Sequence, residues 1–142
     1  MSLPVPHPGL VISYSYLWAD EHRRGQEEGR KDRPCAIVVA RQTAGGETVA
    51  TVVPVTHTPP HDPASALELP ASIKKHLGLD DERSWIILDE VNDFFWPGPD
   101  LRPVEPGKIA YGVLPPGFFR KMRDLLLKIH AKRKLALVRR SE

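Results

Sequence analysis

Hydrophobic positions along the chain fall into short alternating stretches and short apolar runs, a pattern that predicts strands more than long helices. Residues 9–16 alternate in part and are rich in β-branched and aromatic side chains, which predicts a first strand. Residues 35–41 form a nearly continuous apolar run, as expected of a strand that is covered on both faces. Residues 48–56 alternate again, and Gly45-Gly46 before them permits a turn with positive φ. These two segments are therefore predicted to pair as a hairpin.

The second half of the chain adds shorter elements. Residues 66–69, 84–91 and 108–114 are predicted to be strands, and the segment 84–91 is apolar first and acidic at its end. Residues 71–77 predict one or two helical turns, closed by Gly78 at the usual stop position.

The C-terminal region contains one clear helical pattern. Phe119, Met122, Leu126 and Ile129 recur at spacings of three and four, which places them on one face of an amphipathic helix. Together these elements predict a mainly β fold with five or six strands, one minor helix and a terminal helix, in one domain over residues 1–142.

Irregular segments separate the predicted elements. Residues 19–32 are charged and contain two glycines, which predicts an exposed loop. Trp96-Pro97 breaks the strand pattern, so the aromatic residues 94–96 are expected in a loop. Pro54 lacks an N–H, so its strand is predicted to lie at an edge or to bend near its end.

Composition limits the classes of protein to which this chain can belong. No apolar run approaches the roughly 20 residues that span a bilayer, and the N-terminus has no secretory pattern, so a cytoplasmic protein without membrane contact is expected. Cys35 is the single cysteine, which excludes an internal disulfide and favours a small core residue. The net charge is only +2, but residues 131–142 are predicted to be a basic C-terminal extension.

Candidate chemical groups gather at the ends of predicted strands. The chain has no phosphate-binding GxxxxGK[ST], no dinucleotide GxGxxG and no zinc-binding HExxH, so no cofactor is expected. The candidates that remain are ordinary side chains: Glu27, Glu28, Arg33, Thr56, His57, Asp89 and Glu90.

Four pieces of the chain resemble, in order, the PemK/MazF growth-inhibitor toxins. These pieces are HPGLV at residues 7–11, GQEE at 25–28 followed by RP and AIVV at 33–39, PVT at 54–56, and SWIILDE at 84–90. The resemblance implies a small SH3-like barrel, a homodimer, a cognate antitoxin as partner, and metal-independent cleavage of single-stranded messenger RNA.

The resemblance also implies roles for individual residues. Cleavage by the ribose 2′-hydroxyl needs a cation over the phosphate, and Arg33 is the predicted cation because its planar fork binds two phosphate oxygens. The alternative is that Arg33 only forms an ion pair with Glu28 or Asp89 across the mouth of the barrel. Thr56 is a second predicted phosphate donor, with a strand residue that satisfies a loop amide as the alternative. Glu28 and Asp89 match the loop acid and the strand-end acid of the family, although Glu27 competes for the loop position.

Other residues have both a functional and a structural interpretation. His57 has the intrinsic chemistry for proton transfer, but a histidine in a loop is more often simply exposed. A metal site of His57, His61 and Asp62 is disfavoured, because the intervening prolines prevent helical spacing. Predicted RNA contacts are Arg30 and Lys31 in the loop and the ring of Trp96, with core packing or a dimer interface as the alternative for the aromatic residue.

One departure from the family motivates a second hypothesis. Many family members have Arg or Lys after the acid-Gln element, whereas this chain continues with Val91 and then Asn92-Asp93, and an acid there would repel phosphate. The alternative is a non-catalytic SH3-like module that binds nucleic acid or protein.

Overall fold

Strands make up most of the regular structure in the computed structural model, which describes residues 3–23, 25, 31–132 and 136–140. The strands are β1 (Leu10–Tyr14), β2 (Arg33–Gln42), β3 (Thr48–Thr56), β4 (Ala66–Glu68), β5 (Trp85–Ile87), β6 (Glu90–Trp96), β7 (Ala110–Val113) and β8 (Ala136–Arg139). The helices are α1 (Ala19–Arg23), α2 (Ala71–His76) and α3 (Pro116–Ala131), with a 3-10 turn at Pro63–Ser65. The mainly β class with a C-terminal helix is confirmed.

The strands form one sheet in the order β4-β5-β3-β2-β1-β7, with β6 paired to β3 and β8 paired to β6. All these pairings are antiparallel except that of β6 with β8, which is parallel. Within the described ranges the sheet does not close on itself.

Strand β3 is central in this sheet. Its first part, from Thr48 to Val52, pairs with β6, and its last two residues pair with β5. Pro54 lies where β3 exchanges one partner strand for the other, a point at which the ladder is already interrupted and an N–H is not required. Of the two predicted alternatives for this strand, the edge position is therefore wrong.

Two apolar clusters cover the two faces of the β2–β3 hairpin. Alternate residues of β2 contribute to different clusters, Ala36 and Val38 to one and Cys35 and Ile37 to the other. Since side chains of a strand point alternately to opposite faces, a strand buried on both sides must be apolar throughout. The predicted hairpin is confirmed, including the turn, where Gly46 has φ of 85°. Burial on both faces holds for residues 35–38 only, because Val39 is 43% exposed and Arg41 is exposed.

Helix α3 packs its apolar face on the first cluster. Met122 and Ile129 are buried, and Phe119 and Leu126 pack partly buried against the same cluster. All four side chains of the predicted helical face therefore contribute to the core. Within the described parts of the chain, no helix has the length and apolar character needed to cross a membrane.

Three segment predictions need correction. Residues 84–91 are two strands, β5 and β6, because each pairs with a different part of β3. Residues 19–32 do not begin as an exposed loop, because α1 occupies 19–23 and Glu21 is buried with its Oε1 accepting from the Trp18 N–H at 3.2 Å. Residues 94–96 belong to β6 and not to a loop.

The basic C-terminal region contributes a strand to the fold. Residues 136–139 form β8, and Arg140 after it is buried, with its Nη2 3.0 Å from Asp100 Oδ2. Residues 133–135 and 141–142 of the predicted extension lie outside the described residues. Arg140 is therefore a buried structural residue.

Candidate functional site

A cavity of about 610 Å³ opens where the end of β3, the start of β2 and the junction of β5 with β6 meet α1. Its walls include Trp18, Lys31, Arg33, Thr56, Asp89 and Glu90. This volume falls in the range of small-molecule and cofactor sites. Three of the predicted catalytic residues and one predicted RNA contact thus line the same cavity.

Arg33 supplies the cavity with a partly buried cation. Its guanidinium lies 5.0 Å from the centre of the Trp18 ring, and its Nη1 donates to the Val55 carbonyl at 3.5 Å. Burial lowers the pKa of Arg33, but a guanidinium remains charged in proteins. Its Nε is buried without a hydrogen-bond partner among the described residues. The side chain therefore retains donor capacity that a bound anion would satisfy.

Thr56 ends β3 and is buried beside Arg33. Its Oγ1 accepts the Thr58 N–H at 3.1 Å. This bond confirms the structural interpretation of the residue as a group that satisfies a loop amide. It leaves the hydroxyl proton free to be donated, so the two predicted roles of Thr56 are compatible.

Two carboxyl groups line the cavity from the β5–β6 junction. Burial raises the pKa of half-buried Asp89, with nearby Asp62 adding to this effect. Burial also raises the pKa of Glu90, whose Oε1 accepts from the Ala19 N–H at 2.9 Å and the Tyr16 hydroxyl at 3.1 Å. Asp89 therefore remains available for a ligand, whereas one oxygen of Glu90 is already engaged.

His57 lies outside this cavity, at a smaller recess of about 90 Å³ that also includes Lys74, Asp80 and Ser84. Its Nε2 is 2.9 Å from Asp80 Oδ2. The other oxygen of Asp80 accepts from the buried Lys74 Nζ at 2.7 Å, and this hydrogen bond lowers the pKa of Asp80. His57 is thus exposed, in agreement with one interpretation of the sequence. The Asp80 carboxylate, itself fixed by Lys74, nevertheless holds its ring in place.

No protein-family model, curated protein or solved structure matches this chain. The relation to the PemK/MazF toxins therefore stays a prediction from the motifs.

The three side chains that could bind a metal ion together in the structure are not the three that the sequence suggested. Donor atoms of His57, Asp80 and Glu82 lie within 4.8 Å of one another. Asp62, by contrast, caps the 3-10 turn by accepting from the Ala64 N–H and the Ser65 hydroxyl, each at 3.0 Å. The ammonium of Lys74 already neutralises Asp80, so this exposed group has a resident cation.

The remaining predicted site residues do not all lie at the cavity. Lys31 lines both the cavity and the smaller recess. Trp96 pairs with Thr48 at the opposite end of β3 from Arg33 and packs on Phe94, with ring centres 6.0 Å apart. Glu28, its competitor Glu27, and Arg30 lie outside the described residues.

The residues that depart from the family pattern do not line the cavity. Asn92 is buried, accepting from the Leu17 N–H at 3.0 Å and donating to the Leu17 carbonyl at 2.8 Å. Asp93 accepts from the Thr51 hydroxyl at 2.6 Å. Both side chains thus have hydrogen-bond partners within the fold. Because neither lines the cavity, they would not directly repel a phosphate bound there.

Proposed function

We propose that this protein is a metal-independent endoribonuclease that cleaves single-stranded RNA through attack of a ribose 2′-hydroxyl on the adjacent phosphate. The observation that carries the proposal is the partly buried Arg33, which has an unpartnered Nε in the described structure and shares a cavity with Thr56 and Asp89. A guanidinium in a water-poor site stabilises the additional charge of the five-coordinate phosphate more strongly than it would in water.

The charge of the cavity favours a ligand with few phosphate contacts. Lys31 and Arg33 are its permanently charged cations, whereas its walls carry five acidic side chains: Asp20, Glu21, Asp62, Asp89 and Glu90. A polyanion that contacted the whole cavity would be repelled, but one phosphate placed at Arg33 and Lys31 would be bound. We therefore expect RNA affinity to depend only weakly on salt, since few counterions are released.

The proposal includes the fold, assembly and partner of the PemK/MazF family. A central β3 that pairs with β2 on one side and successively with β6 and β5 on the other is compatible with a strongly curved, SH3-like barrel. A homodimer and an acidic or amphipathic antitoxin segment complete the proposal.

The test is cleavage of end-labelled single-stranded RNAs of varied sequence in the presence of EDTA. We expect fragments that end in a 2′,3′-cyclic phosphate and begin with a 5′-hydroxyl. Arg33→Ala should reduce the rate by about 10²-fold or more, because it removes the cation from the transition state. Arg41→Ala, an exposed arginine on the same strand β2, is the matched control and should cut at the wild-type rate.

Two results would contradict the proposal. Wild-type protein that leaves every RNA intact excludes the activity, and salt-sensitive RNA binding without cleavage would instead select the non-catalytic binding module. An Arg33→Ala variant that cuts as fast as wild type excludes Arg33 as the essential cation.

A further inference from the structure

Two depressions adjoin the Arg33–Thr56 pair. The large cavity contains Asp89, and the small recess contains His57, while Arg33 and Thr56 line both. Arg33 and Thr56 therefore border both depressions, as does Lys31. A phosphate bound at Arg33 and Thr56 would be open to His57 from the recess and to Asp89 from the cavity.

His57 is fixed by a chain of hydrogen bonds that begins in the protein interior. Lys74, whose side chain is only 5% exposed, donates from Nζ to Ser84 Oγ at 2.7 Å, to Asp80 Oδ1 at 2.7 Å and to the Glu82 carbonyl. The Glu82 N–H also donates to Asp80 Oδ1, at 3.1 Å. Asp80 Oδ2 is consequently held in place 2.9 Å from His57 Nε2.

Contacts of His57 Nε2 with Asp80 Oδ2 at 2.9 Å and with Glu82 Oε2 at 3.4 Å determine which nitrogen of His57 carries the proton. An ionised carboxylate only accepts hydrogen bonds, and the bond from Lys74 lowers the pKa of Asp80, so Asp80 is ionised. His57 must therefore donate from Nε2, which leaves the lone pair of the neutral ring on Nδ1.

In-line displacement at phosphorus requires a base and an acid on opposite sides of the phosphate. We propose that His57 Nδ1 is the general base, that Asp89 is the general acid, and that Asp80 is the positioning residue that holds His57 in the required tautomer. The inference rests on the proposed ribonuclease function and assigns its two proton transfers.

One proton moves at the attacking oxygen and one at the leaving oxygen of the phosphate. His57 Nδ1 takes the proton of the 2′-hydroxyl as the 2′-oxygen forms its bond to phosphorus. The bond from phosphorus to the 5′-oxygen breaks, and the Asp89 carboxyl gives its proton to that oxygen. The products are a 2′,3′-cyclic phosphate and a 5′-hydroxyl, with His57 protonated and Asp89 ionised until both exchange protons with water.

Other side chains at the two depressions suit these roles less well. Lys74 is an ammonium with three acceptors, so it has no lone pair for a proton. Glu90 Oε1 already accepts two hydrogen bonds. Asp89 has no side-chain partner among the described residues, and its burial favours the protonated form that an acid needs.

The positioning role can be measured without RNA. Nitrogen-15 NMR of the imidazoles, with the His57 signals assigned from a His57→Gln variant, should show the Nε2–H tautomer in wild type. Asp80→Asn replaces one acceptor oxygen by an amide donor and should shift His57 toward the Nδ1–H tautomer. An unchanged tautomer in Asp80→Asn would overturn the positioning role of Asp80.

The acid and base roles can be separated with a substrate whose 5′-bridging oxygen is replaced by sulfur, a leaving group that needs no proton. On ordinary RNA, His57→Ala and Asp89→Asn should each cut about 10²-fold more slowly, and Asp80→Asn about tenfold more slowly with KM unchanged. On the sulfur substrate, Asp89→Asn should recover to near the wild-type rate, whereas His57→Ala should remain slow.

The control is His76→Ala, an exposed histidine on α2, which should behave as wild type on both substrates. Recovery of His57→Ala and not of Asp89→Asn on the sulfur substrate would reverse the two roles and overturn the assignment. Active wild type with unimpaired His57→Ala overturns these roles alone, whereas inactive wild type overturns the ribonuclease function itself.

Discussion

Burial changes the pKa of three residues at the candidate site, which are Arg33, Asp89 and Glu90. Each is half-buried, and burial shifts the pKa of each toward the neutral form. The cation keeps its charge because guanidinium is a very weak acid, whereas the two carboxyls become easier to protonate. Cys35 shows the same effect in the core, where burial raises the pKa of its thiol and keeps it unreactive.

Asp89→Asn should therefore change the dependence of stability on pH. The raised pKa means that folded protein binds this proton more tightly than the unfolded chain, so stability is lost as pH rises through the folded pKa. Asparagine cannot ionise, so Asp89→Asn should gain free energy of unfolding relative to wild type between about pH 3 and pH 7.

Urea denaturation at several pH values measures this difference. Asp81→Asn, at an exposed loop position, gives the baseline for removal of one surface charge. A relative stability of Asp89→Asn that falls as pH rises would contradict the raised pKa.

Strand β8 shows how a buried charge network attaches an element to the sheet. Arg140 after β8 donates to the Ser15 carbonyl at 3.0 Å and to Asn92 Oδ1 at 3.2 Å, and it pairs with Asp100. The side chains of Arg140 and Asp100 are 3% and 9% exposed, so neither charge is satisfied by bulk water. The network joins the end of the chain to residues near its beginning.

Arg140→Ala should consequently destabilise the protein by about 3–5 kcal/mol, because it leaves Asp100 buried without its counterion. The measurement is the free energy of unfolding from urea titration at neutral pH. Arg139→Ala, the exposed neighbour in β8, removes the same charge and should change stability by no more than about 0.5 kcal/mol. Equal losses in the two variants would show that the network contributes little.

At the scale of the whole molecule, α3 and the two apolar clusters hold the site in place. The cluster under α3 includes residues of β1, β2, β3, β5 and β6, so this helix covers the strands whose ends form the cavity. Met122 belongs to that cluster and is fully buried, whereas Leu127 on the same helix is 56% exposed.

Met122→Ala should therefore destabilise the fold by about 2–5 kcal/mol, through lost apolar burial and the cavity that remains. Leu127→Ala, a similar truncation on the same helix, should cost about 0.5 kcal/mol or less. Thermal and urea unfolding of both variants would measure the difference. Similar losses would contradict the packing of α3 through Met122.

Local pattern was sufficient for much of the fold. The β2–β3 hairpin, the stop of α2 at Gly78 and the apolar face of α3 follow from side-chain spacing and from the backbone freedom of glycine, which act within a few residues. The same local signals placed Arg33, Thr56 and Asp89 at strand ends, where the structure brings them to one cavity.

Contacts between distant parts of the chain decided the rest. Residues 84–91 are divided between two strands because β5 and β6 pair with different parts of β3. Strand β8 forms by parallel pairing with β6. Asp80 lies 23 residues from His57, and Asn92 lies 75 residues from Leu17, so no local spacing marks either pair. The sequence by itself determined the elements and the chemical groups available, because propensity and periodicity are local. Only the tertiary structure decided which groups meet, because burial and hydrogen bonding depend on strands that pair across the whole chain.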